Sequence, residues 1–242
     1  MALLSLPIFL ISVFQFGFVQ SFAAKKIAHL LSDKLNTEVS IRKLNISYFM
    51  NFVLEDIKIM DLHHDTLLYS KTLIMDFKDL KIGRNLININ HVILDNSTIK
   101  LVKYKDEKNI NFQFIINYFS SGDTTVSKKE NNWKILLSSL EIIKSKFYYQ
   151  NQNSEKQEKG IDFNNLNLSD INIKLRHVSV FENLICADIK KISLIDRSGF
   201  RLNNLSAVSK ISSTAIDLKK LEIETPSTSI NMDLAFQYKE YS

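Results

Sequence analysis

The densest run of potential metal ligands in the sequence is Asp61-Leu62-His63-His64-Asp65. Carboxylate oxygens and imidazole nitrogens are both ordinary ligands of zinc, so the run invites a metal reading. Geometry argues against it. Adjacent histidines on an extended strand project to opposite sides, and no further His or Cys lies nearby to complete a tetrahedral set. An Asp side chain that bonds its own backbone two residues on favours turns, so the run reads as a turn between strands. Elsewhere there is no Gly-rich phosphate loop, no Gly-x-Ser-x-Gly and no nucleophile beside a recognisable base. The single cysteine, Cys186, lies in Leu184-Ile185-Cys186-Ala187 and reads as a small buried hydrophobe that permits no intramolecular disulfide. No catalytic residue, metal or cofactor is assigned, and the chain does not read as an enzyme.

Composition narrows the classes further. With 242 residues and 45% hydrophobic content the chain can bury a core and is not wholly disordered. The net charge of +5 comes from lysines and arginines interleaved with acids, without a basic stripe or an RNA-binding aromatic motif, so no nucleic acid is expected as a partner. Glycine occurs five times and proline twice, and neither Asn-Gly nor Asp-Gly occurs. Tight two-residue hairpins on those dipeptides are therefore excluded, and turns must come from runs of Asn, Asp, Ser and Lys.

The elements that would position a site begin with residues 1–24, which carry no charged side chain. This run approaches the roughly 20 residues a helix needs to cross the hydrocarbon core and is longer than the usual signal-peptide core, so it reads as an uncleaved transmembrane anchor. Ser21-Phe22-Ala23 would serve as a cleavage site in the alternative, an exported β-rich interaction protein with its signal peptide removed. Lys25 and Lys26 follow the span and, taken alone, favour a cytoplasmic C-terminal side. Over 25–36 the pattern turns helical, with Ala24, Ile27, Ala28, Leu31 and Leu35 on one stripe and Asn36 as a left-handed cap. Such a helix would lie on a bilayer surface, plug one end of a sheet, or simply be the first helix of a globular domain.

From Phe52 to Leu101 four β-segments each put apolar side chains on one face: Leu54, Ile57 and Ile59; Leu73, Met75 and Phe77; Ile87, Ile89, Val92 and Leu94; Ile99 and Leu101. A β region over 37–122 is expected to include one short packing helix, Asn111 to Phe119, capped by Asn109 or Asn111 and carrying the stripe Phe112, Ile115, Ile116 and Phe119. A polar loop, Asp123 to Asn132, separates it from a second β region over 133–242. There, phase shifts at His177-Val178 and Lys219-Lys220 predict bulges. Residues 92–101 also lie on residues 140–149 in a weak repeat that matches Ser97 with Ser145 and Ile99 with Phe147. The clean alternation of Ile230, Met232, Leu234, Phe236 and Tyr238 predicts an exposed last strand, as in the N-terminal piece of a longer β structure.

The succession FVQSFAAKKIAHLLSDKLNTEVSIRKLNIS, VLEDIKIMD, DTLLYSKTLIMDF, ININHVILDNSTIKL and NINFQFIINYF resembles the N-terminal region of the TamB family, the translocation and assembly modules of the AsmA-like superfamily. The resemblance spans Phe18 to Phe119; the basic residues usual before the family's anchor and its C-terminal domain are not in the sequence. It implies a single-pass inner-membrane protein with its bulk in the periplasm of a Gram-negative-type envelope. It further implies a mainly β fold, an N-terminal helix leading into a long twisted antiparallel sheet curled into an open, β-taco-like trough. The trough would carry phospholipid acyl chains for outer-membrane biogenesis, with an outer-membrane barrel assembly protein as a partner of the absent C-terminal region. The twelve apolar residues of 54–101 named above would line it, unless they form a dry core.

Overall fold

A computed structural model describes residues 17–46, 51–81, 86–120, 134–181 and 184–238. Among these, helix is confined to α1 (Gly17–Leu35) and α2 (Gln113–Ser120). The rest is one sheet of β1 (Val39–Ile46), β2 (Asn51–Met60), β3 (Thr66–Lys81), β4 (Leu86–Lys103), β5 (Lys134–Asn151), β6 (Asn167–Phe181), β7 (Leu184–Asp196), β8 (Arg201–Leu202), β9 (Asn204–Ile211), β10 (Ala215–Glu224) and β11 (Ser229–Gln237). The strands follow chain order from β1 to β11, with the short β8 paired to β7 off the main path. The sheet is open, with β1 and β11 as its edges, and is not curled into the expected trough.

Three expectations change here. The anticipated anchor falls for its first 16 residues outside the described residues, and its remainder belongs to α1, which also takes in the helix expected over 25–36. No described helix is long and apolar enough to cross a membrane. The third and fourth β-segments are one strand, β4, because Asp95-Asn96-Ser97, turn-like in composition, is absorbed within it as a positive-φ kink that leaves the pairing register unbroken. Finally, the sheet is antiparallel except at β4 and β5, which pair in parallel. Their register, Val92 with Leu140, Leu94 with Ile142, Ile99 with Phe147 and Leu101 with Tyr149, is the repeat offset itself. Two similar words lie side by side because equivalent positions then share a face and a positive-φ kink, at Asn96 and Lys144.

α1 ends as expected, with Asn36 in the left-handed region (φ 52°) and the Thr37 N–H donating to the Ser32 carbonyl at 3.2 Å. Gln20, Ala24 and Ala28, spaced by four, form the ridge turned to the sheet. Ala24 and Ala28 meet Ile41, Leu44, Leu54 and Ile57 in a buried cluster, with Ala23, Ile27, Phe52, Ile59, Leu73 and Met75 packed around it. Leu31 leaves the expected stripe and is 39% exposed, since in the last turn contact passes to Ser32, whose hydroxyl accepts the Val39 N–H at 2.9 Å. Alanines let the helix lie close, so Ala24→Leu is expected to cost about 2 kcal/mol by overpacking. A urea midpoint unchanged from wild type would show that α1 can lift from the sheet freely.

One crease of positive-φ residues runs across β2 to β6, and single kinks follow in β6 and β10. Asp56 in β2, Asn96 in β4, Lys144 in β5 and Asp170 in β6 have positive φ, as do His177 in β6 and Lys220 in β10. His177 and Lys220 are the bulges anticipated from phase; pairing slips between Arg176 and Ser179 and between Leu218 and Leu221. After the crease residues come Ile57, Ser97, Ser145 and Ile171, each 6% exposed or less. Ser97 Oγ donates to Ser70 Oγ at 2.7 Å, and the Ser97 N–H donates to Ser145 Oγ at 3.0 Å. Short hydroxyl side chains suit this line, where Ser70, Ser97 and Ser145 are buried and bond one another and the adjacent backbone.

The turns at one end of the sheet are nucleated by buried aspartates, as a glycine-poor chain requires. Asp61, Asp162 and Asp196 are 0%, 2% and 4% exposed. Asp162 accepts the backbone N–H groups of Gln157, Asn164 and Asn165, and Asp196 that of Ser198. The Gln157 N–H is the main reason the Asp162 carboxyl is held below the ordinary value.

Candidate functional site: the apolar face of the sheet

In a pleated sheet, directly paired residues present their side chains on the same face. Register therefore assembles the apolar positions into rows running across the strands. One row is Leu44, Leu54, Leu73, Leu94, Ile142, Ile173 and Ile192, from β1 to β7. The next is Ile46, Phe52, Met75, Val92, Leu140, Leu175, Ile189 and Ala207, reaching β9. Beyond the crease run Val39, Ile59, Leu68, Ile99, Phe147 and Leu168. Toward the other edge, Ile185, Ile211, Ile216 and Phe236 carry the face to β11.

The twelve expected lining residues divide by their cover. Leu54 and Ile57 are buried, and Ile59, Leu73 and Met75 pack around them in the cluster under α1, so these five belong to a core. Phe77, Ile87, Ile89, Val92, Leu94, Ile99 and Leu101 lie outside that cluster and are partly accessible. Phe77 meets the Phe52 ring edge-on at 5.0 Å, Ile89 pairs with Phe77 and Leu137, and Leu101 pairs with Tyr149. Ile87 pairs with Leu80 in register. The β5–β7 members of the rows were missed among the site residues, although the 48-residue offset joining Ser97 to Ser145 would have brought in Leu140 and Ile142.

The expected packing helix does not close this face. α2 packs against α1, and Ile116 of its stripe is 40% exposed. Asn111 does not cap α2: its Oδ1 accepts the Val102 N–H and its Nδ2 donates to Asp61 Oδ2.

The opposite face is richer in charged and polar side chains, although Val53, Ile74 and Ile93 pair in register on it. Asp56 accepts the Tyr69 hydroxyl and the Arg42 guanidinium, which also binds Glu55 at 2.7 Å; the Tyr69 bond, then the Arg42 bond, hold the Asp56 carboxyl below its ordinary value. Lys174 pairs with Glu141 at 2.6 Å, and His177 with Asp188 at 2.9 Å. Such exposed pairs contribute little stability but keep that face in water.

The Asp61 run is a turn with a buried hub. Asp61 Oδ1 accepts the N–H groups of His63 and Asp65, both at 2.9 Å, and Oδ2 accepts the Tyr104 hydroxyl at 2.7 Å and Asn111 Nδ2 at 2.8 Å. His63 bonds Glu107 at 2.8 Å and stacks on Tyr104. Burial raises the Tyr104 phenol well above its ordinary value, and its bonds to Asp61 and Asp65 raise it further. Among the described residues no group of three or more His, Cys, Asp or Glu is placed to hold a metal ion. The hub ties the β2–β3 turn to the loop after β4 and fastens that end of the sheet.

Fold and face together define a mainly β protein built on one open sheet, with continuous apolar rows on one side and most of its ion pairs on the other. No protein-family model and no curated protein matches the chain.

Proposed function

We propose that this protein is a membrane-attached lipid conduit of the TamB type, in which the apolar face receives phospholipid acyl chains on their way across a Gram-negative-type envelope. The observation that carries the reading is the continuity of apolar rows from β1 to β11 with α1 covering only their first strands. An apolar face of that extent draws apolar cover, and each acyl methylene withdrawn from water contributes about 0.8 kcal/mol. The resemblance of residues 18–119 to the TamB family supports the inner-membrane setting. The conduit needs no catalytic side chain, since transfer along it is a change of solvation.

Photo-crosslinking tests the reading without disturbing the fold. With p-benzoylphenylalanine at position 140 on the apolar face or at position 191 on the opposite face, the full chain purified from cell membranes is expected to yield phospholipid adducts from 140 and not from 191. Mass spectrometry finding no adduct at either position, or equal adducts at both, overturns it.

A further inference from the structure

Helix α1 has two ridges of opposite character. Gln20, Ala24 and Ala28 face the sheet, whereas Phe22, Lys26, Leu30 and Lys34, offset from them by two residues and so by about 200° around the axis, face away. Phe22 is 70% exposed and Leu30 52%, and Lys25 and Lys26 beside them are exposed as well. α1 carries three lysines against a single carboxylate, Asp33, which is already paired with His29 at 2.9 Å.

Alternation of large apolar side chains with lysines along one exposed ridge discriminates between partners. The core of a protein interface is depleted of lysine, because a desolvated ammonium is costly. A lipid headgroup layer accepts both kinds of residue: the apolar chains enter the acyl boundary while lysines extend to the phosphates. We infer that the outward ridge of α1 docks on the surface of an anionic phospholipid bilayer, with Phe22 and Leu30 entering it and Lys26 and Lys34 binding lipid phosphate. The inference rests on the lipid-conduit reading for its setting and adds an orientation to it. α1 packs on β1, so this contact puts the β1 edge at the bilayer and runs the apolar rows away from it.

The test uses the full chain with Leu30→Trp in a Trp133→Phe background, mixed with vesicles of phosphatidylcholine and phosphatidylglycerol whose acyl chains are brominated. Quenching and a blue shift of the indole introduced on α1 are expected, with neither for Phe236→Trp on β11 in the same background. Lys26→Gln/Lys34→Gln is expected to weaken partition about twenty-five-fold, at roughly a factor of five for each lysine near an anionic surface, and vesicles of phosphatidylcholine alone should bind as weakly. Vesicle binding without quenching of the α1 indole, equal quenching at position 236, or unaltered partition of the double-glutamine variant overturns the inference. Quenching that persists while position 140 yields no lipid adduct would leave α1 at the membrane and remove the conduit, so the two failures are separable.

Discussion

Asp61→Ala is expected to destabilise the folded chain by about 4 kcal/mol, at the upper end of single-substitution effects. The carboxylate is 0% exposed and satisfies four donors at once: the N–H groups of His63 and Asp65, the Tyr104 hydroxyl and the Asn111 amide. Alanine leaves those donors facing an apolar methyl, and for a chain of this size the thermal midpoint should fall by roughly 8 to 16 °C. A loss below about 1 kcal/mol would show that water enters the turn and that the hub does not fasten the loop after β4. The pH dependence has a definite sign. Burial pushes the Asp61 carboxyl upward, but the bonds from Asn111, Tyr104 and the backbone of Asp65 and His63 outweigh it, and the folded-state value lies below the ordinary one. The stabilisation is therefore complete above the unfolded value of about 3.9 and is lost as pH falls through the lower folded value. Urea unfolding of wild type and Asp61→Asn should differ most at neutral pH and converge in strong acid.

Ser97→Leu should cost about 3 kcal/mol, against about 1 kcal/mol for Ser97→Ala. Ser97 is 2% exposed beside the crease, and its Oγ donates to Ser70 while its N–H donates to Ser145. Leucine overfills this buried line and takes away the bond to Ser70, whereas alanine only removes the bond. At the neighbouring Asn96, with φ 50°, glycine should be tolerated or slightly stabilising and valine should not, because a β-branched side chain clashes in that backbone region. Equilibrium urea titration reads all four variants. If leucine proves as mild as alanine, the line has room to spare and its serines are incidental.

Much of this architecture was legible in the residues. The turn at Asp61 and the cap at Asn36 follow from short runs whose chemistry acts on their own backbone, and the bulges at His177 and Lys220 from a one-residue slip in the apolar alternation. The positive-φ kinks at Asp56, Asn96, Lys144 and Asp170 were not legible, because Asp-Asn-Ser and similar runs suit a turn and a kinked strand equally and only the neighbouring strands decide. Of the candidate lining residues, Leu54 and Met75 share their alternation with Leu94 and Val92. The first pair lies in the α1 cluster and the second outside it, a difference made by a helix that begins more than thirty residues earlier in the chain.

By itself the sequence determined that the chain would be mainly β, that one face of each strand would be apolar, and that aspartates and asparagines would make the turns. Those properties follow from the period of the pleat and from side chains bonding their own backbone, both local. Only the tertiary structure decided that β4 and β5 run in parallel with Ser97 beside Ser145, that positive-φ kinks in β2, β4, β5 and β6 fall on one line, and that α1 covers the first strands and leaves the rest of the face accessible. Each of these depends on which distant segment supplies the neighbouring backbone, and alternation along a single strand carries no record of that choice.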